Sequence, residues 1–192
     1  SIGYEWAVTT SVTPPASGTA VTGTTASSSG LNPNTTYYLH VRGDCGSGSF
    51  STWATSSSFY TGYCIPSSVN QNSWISNFKT TMGSANISHM ASSGVAGGYA
   101  NLTASNTVSN YNGNPTNFSI TSGGPFTGSA LWVDWNNNFV FETAERMFVT
   151  TFFTASSSGT INIPPGTPIG NYRMRVVTDF NNSAPSNPCG NI

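Results

Sequence analysis

Only 6% of the 192 residues are charged, and five basic against six acidic residues leave a net charge of -1. The basic residues Arg42, Lys79, Arg146, Arg173 and Arg175 are too few and too scattered for nucleic-acid binding or an anionic membrane surface, and no apolar run reaches the roughly 18 residues of a membrane-spanning helix. Aromatic residues at 12% argue against disorder, so the Ser-, Thr-, Asn- and Gly-rich composition reads as a folded, β-rich chain with uncharged polar surfaces.

Along the chain the recurring signal is short β-prone runs divided by Gly, Pro, Asn and Ser clusters, the pattern of all-β sandwiches. The first run is 3–8, where Tyr4, Trp6 and Val8 alternate onto one face. Turn residues follow at Pro14, Pro15 and Gly18. In 31–42 the residues Leu31, Pro33, Thr35, Tyr37, Leu39 and Val41 recur at every second position. This Leu-x-Pro-x-Thr-x-Tyr corner, with Trp53 and a closing run at 58–61, resembles the fibronectin type III module over residues 1–61. The resemblance implies a Tyr37 ring in the core with its hydroxyl bonded to upstream backbone. It also implies two earlier strands that this sequence lacks. The chain opens inside a strand and closes just after Cys189, which reads as an interior segment of a longer polypeptide.

Helical periodicity is confined to 73–82, a single candidate turn that its paired threonines and Gly83 disfavour. From Tyr63-Cys64 onward a second unit begins. Its features are Trp74-Ile75-Ser76, the Gly97-Gly98-Tyr99 run, Leu131-Trp132-Val133-Asp134-Trp135-Asn136, the 164–176 run with Pro164-Pro165-Gly166 and Tyr172-Arg173-Met174-Arg175-Val176, and Asn187-Pro188-Cys189-Gly190. In that order they resemble the GEVED domain, a β-sandwich module of secreted Bacteroidota proteins, across residues 62–192. The family's naming motif would follow Cys189-Gly190. The reading is therefore two tandem β-sandwich modules, 1–61 lacking its N-terminal strands and 62–192 truncated at its C-terminal end. The GEVED resemblance implies an extracellular accessory module of adhesins, proteases or polysaccharide hydrolases, cargo that often leaves by type IX secretion.

Cys64 and Cys189 bracket the second unit and are expected to form a disulfide, with buried reduced thiols as the alternative. Cys45 is left over, and its expected partner lies upstream. No C-x-x-C pair and no zinc spacing occur.

The sharpest local signal is 134–145. Asp134, Asn136, Asn138, Glu142 and Glu145 fall at positions 1, 3, 5, 9 and 12 of a calcium loop, with the Val140 carbonyl at position 7. Two departures weaken it: Asn138 stands where relatives carry Asp, and Phe139 stands where they carry Gly. The alternative is an Asn-rich turn with its carboxylates in water and Glu142 or Glu145 paired to Arg146. Asp134, Glu142 and Glu145 share one connection instead of facing each other across a cleft, so a glycosidase pair is not expected. His40 and His89 are expected to be solvated, which leaves no base for a serine triad. Trp132 and Trp135 fall on opposite strand faces, and one of them is expected to point away from its sheet's core; the reading is core or inter-module packing, with a platform for sugar rings as the alternative. Arg173 and Arg175 share a face expected to be solvated.

The function expected is a non-catalytic, extracellular structural or adhesive segment of a larger secreted or cell-surface protein. The alternative is an accessory carbohydrate- or substrate-binding module of a secreted hydrolase whose catalytic domain lies outside this chain. Expected partners are other domains of the same chain, neighbouring subunits by strand addition, and a surface glycan. Calcium is the sole cofactor candidate.

Overall fold

A computed structural model describes residues 3–32, 35–69 and 71–190. The protein is all-β, and the only helical elements are single 3-10 turns at Ala96–Gly98 and Thr143–Glu145 among the described residues. The chain divides into two compact units, Ser1–Tyr63 and Cys64–Ile192.

The first unit is one antiparallel sheet. β1 (Gly3–Thr9) lies between β2 (Thr19–Val21) and the long β3 (Thr36–Gly46). β4 (Ser49–Phe50), β5 (Ala54–Thr55) and β6 (Phe59–Tyr60) pair along the other edge of β3. The register sets Trp6 opposite Val41 and Val8 opposite Leu39, so Tyr4, Trp6, Val8, Leu39 and Val41 share one face as the alternation requires. The Tyr37 corner forms: its ring is buried and stacks on Phe59 at 6.0 Å, and the Asn32 N–H donates to its hydroxyl oxygen at 3.0 Å. Pro33 and Asn34 of the corner motif lie outside the described residues.

The two faces of this sheet depart from the expected pattern. His40 is fully buried, not solvated. Its Nε2 donates to the Ser11 carbonyl at 3.2 Å, and Nδ1 is hydrogen-bonded to the Thr55 hydroxyl at 2.9 Å. On the same polar face the Arg42 Nε donates to Glu5 at 2.6 Å, and the guanidinium lies 4.1 Å from the Phe50 ring centroid and 4.5 Å from that of Trp53. The 10–18 and 50–55 segments supply these partners, so the polar face is the covered one. On the apolar face Tyr4 and Leu39 each remain 37% exposed. A second sheet layer, which a sandwich would lay over that face, is not present in this unit among the described residues.

The second unit is a two-layer sandwich. One sheet orders β12 (Ser156–Ile161), β9 (Thr116–Gly123), β7 (Trp74–Thr81) and β8 (Ser88–Met90). The other orders β11 (Arg146–Val149), β10 (Gly128–Asp134) and β13 (Arg173–Asp179). The stretch 73–82 is thus strand, not helix: β7 pairs with β9 along its whole length, and Trp74 faces Gly123, where a Cβ would strike the indole. Phe78 and Ile87 on one layer with Phe118, Ile120 and Ile161 close against Leu131 and Val133 on the other. The Phe118 ring meets Phe148 edge-on at 5.2 Å. His89 is half-buried on β8, opposite Phe78 in register.

The outer face of β10 is covered as well, and this overturns the solvated reading of Arg175. Trp132 and Arg175 lie directly opposite each other in register, and both are buried. Arg175 Nη2 donates to the Cys64 carbonyl at 2.8 Å, and Nη1 donates to the Pro188 carbonyl at 2.9 Å. The guanidinium lies 4.6 Å from the Phe141 ring centroid and 5.5 Å from that of Tyr99. Cys64 and Cys189 are joined by a disulfide, with Cα atoms 5.5 Å apart, so the two ends of the unit are tied over this arginine. Cys45 is a free, exposed thiol.

Candidate functional site

β10 delivers Asp134 fully buried at its C-terminal end, and the chain then turns through 135–142 into the 3-10 turn before β11. The Asp134 carboxylate accepts from Asn138 N–H at 3.2 Å and Phe139 N–H at 3.0 Å. Asn136 Oδ1 accepts from Asn138 N–H at 3.0 Å, and Asn138 Oδ1 from Val140 N–H at 2.8 Å. Glu145, also buried, accepts from the N–H groups of Trp135 at 2.8 Å, Asn136 at 3.4 Å and Glu142 at 3.2 Å. Glu142 receives the side-chain N–H groups of Asn136 and Asn138 at 3.2 and 3.0 Å.

The five residues named from the sequence are therefore brought together, but around N–H donors. The two Asn amides donate to Glu142, the part a cation would take, and their oxygens accept backbone N–H groups. No cluster of three or more His, Cys, Asp or Glu suited to a metal occurs among the described residues. In this arrangement the donor set does not fit calcium, which needs those oxygens turned to one centre. The solvated-turn alternative does not describe the loop either, since Asp134 and Glu145 are buried and Arg146 donates to the Pro185 carbonyl. Phe139 adopts φ +67 and Asn137 φ +55, so Phe139 takes the left-handed turn a glycine would otherwise make. Melting in millimolar calcium is expected to match melting in chelator within about 1–2 °C, as for binding no tighter than millimolar. A shift of several degrees that disappears in Asp134→Ala would show a calcium site.

Glu145 holds the loop. Glu145→Ala leaves three N–H groups without their acceptor and is expected to cost about 2–3 kcal/mol. Glu145→Gln, which keeps one carbonyl oxygen, is expected to cost less. Urea midpoints at constant m-value measure both.

The remaining carboxylates are engaged too. Glu5 pairs with Arg42, Asp44 accepts from Gly46 N–H at 2.8 Å, and Asp179 accepts from Asn181 N–H at 2.8 Å. With the loop acids this accounts for all six acidic residues of the chain, each in a structural hydrogen bond.

Beside the loop lies an open groove of 530 Å³. Its floor is Trp135 and Tyr172, with ring centroids 5.2 Å apart and planes at 54°. Asn136 and Asn137 form one side and the 165–170 segment the other. Trp135 is half-buried against the core and Trp132 is buried, so neither indole stands free on the surface. The sequence marks Trp135 as a candidate but not the groove, whose walls come from runs thirty residues apart.

The strands that carry the loop and the groove, β10 to β13, occupy one continuous stretch of sequence. Residues 128–192 match the GEVED domain. The match begins at the first residue of β10 and includes the loop, the groove and Cys189. A GEVED domain is a domain of larger proteins, and no enzyme family is indicated. No curated protein and no solved structure matches the chain.

Proposed function

We propose that the chain is a non-catalytic, extracellular structural or adhesive segment of a larger secreted or cell-surface protein. The observation that carries this reading is the Cys64–Cys189 disulfide seated on buried Arg175, because structural disulfides persist in oxidising compartments. The GEVED match, the low charge and the structural engagement of every carboxylate support it. The Tyr37 corner supports a fibronectin type III-like first unit. Its missing layer would be supplied by other residues of the longer polypeptide or by strands of a neighbouring subunit. An origin in Bacteroidota and export by the type IX route belong to the same reading. The second reading, an accessory module of a secreted hydrolase, is favoured by the groove at Trp135 and Tyr172.

The test is labelling of intact cells that make the full-length protein, with antibody raised against residues 64–190. Surface labelling removed by added protease is expected. Labelling only after permeabilisation would refute the proposal.

A further inference from the structure

We infer that the groove floored by Trp135 and Tyr172 binds a neutral glycan. This deepens the adhesive reading and rests on it for its biological setting, not for its chemistry. No charged side chain lines the groove, so it offers an acidic or basic ligand no ion pair. Both rings line the groove and are only partly buried, so what they present to it is aromatic surface suited to the C–H face of a sugar. The Asn137 carboxamide is exposed and has no hydrogen-bond partner among the described residues. It both donates and accepts, as vicinal hydroxyls require.

Both walls are already ordered. In the far wall the Thr167 N–H donates to the Pro164 carbonyl at 3.2 Å across Pro165 and Gly166, with Gly166 at φ +82, a proline-glycine turn of type II character. Pro168 follows, and the Tyr172 hydroxyl donates to its carbonyl at 2.7 Å, pinning wall to floor. The near wall is the loop held by Glu145. Binding therefore orders little of the protein, which removes a main cost of association. Ile169 stands fully exposed on the rim.

A proline-rich peptide is the competing occupant of an aromatic groove. Such ligands lay a proline on the aromatic face while the indole N–H beside it donates to a backbone carbonyl. Here the Trp135 Nε1–H is directed to Met147 Sδ at 3.5 Å. A sugar needs the ring face alone.

The experiment titrates the whole chain with cellohexaose, mannohexaose and xylohexaose, with oligogalacturonate and a decaproline peptide as controls, followed by calorimetry and tryptophan fluorescence. Saturable binding of at least one neutral hexasaccharide is expected, unchanged between about 0.05 and 0.5 M NaCl. Trp135→Ala should weaken it at least about tenfold. Because Trp135 also packs on the core, Asn137→Gly, which suits the positive φ, and Ile169→Ser, at a fully exposed site, are measured beside it with melting curves. Each should weaken binding severalfold without changing the melt. No binding by any of the three sugars, binding unaffected by Asn137→Gly and Ile169→Ser, or decaproline binding lost in Trp135→Ala would overturn the inference. Failure here leaves surface labelling of intact cells unaffected, and an intracellular location leaves sugar binding measurable, so the two claims fail separately.

Discussion

Residues 1–63 produced alone are expected to show no cooperative unfolding transition and to bind a hydrophobic dye. A sheet becomes stable by burying its apolar face against a second layer, and the described part of this unit contains one sheet. Its apolar face carries Tyr4 and Leu39, each 37% exposed, beside half-buried Trp6, Val8 and Val41. The opposite face is covered by the loops that enclose His40, Glu5 and Arg42. The loss should be close to complete, since a sheet whose apolar face meets water buries too little to offset the entropy of ordering its chain. A sharp monomeric transition from residues 1–63 would show that the one-sheet unit is self-sufficient and would remove the case for added strands.

The second large effect is expected from Cys64→Ala with Cys189→Ala. The cross-link spans 125 residues, and the chain-entropy relation gives about 5 kcal/mol for a loop of that length. For a unit of this size the melting midpoint should fall by about 15 °C or more. The native state would also loosen, because Arg175 is held by the Cys64 and Pro188 carbonyls beside the bridged sulfurs. Denaturation of the full chain, wild type against the double variant, measures it. A loss under about 1 kcal/mol would mean that the ends of the unit are held without the bridge.

The all-β class, the Tyr37 corner and the Cys64–Cys189 bridge were legible because each follows from a local rule: alternation, a short motif, and two cysteines at the edges of one unit. The stretch 73–82 was ambiguous because Trp74, Ile75 and Phe78 also fit a helical stripe. The decision lies with β9, some forty residues away, whose backbone β7 completes. His40 and Arg175 were misplaced for a related reason. Period-two alternation says which residues share a face but not whether coil covers it. The cover comes from distant segments: Ser11 and Thr55 over His40, Cys64 and Pro188 over Arg175. In the 134–145 loop the ligand types and spacing were legible, but the direction of the two Asn amides was not. That direction decides between a cation and an internal hydrogen-bond network.

The account is tested most directly by a non-reducing digest of the protein harvested from the exterior of its native cells, analysed by mass spectrometry with free thiols blocked at harvest. Peptides joined through Cys64 and Cys189 are predicted at near-complete occupancy. Both thiols blocked, in protein taken from outside the cell, would contradict it.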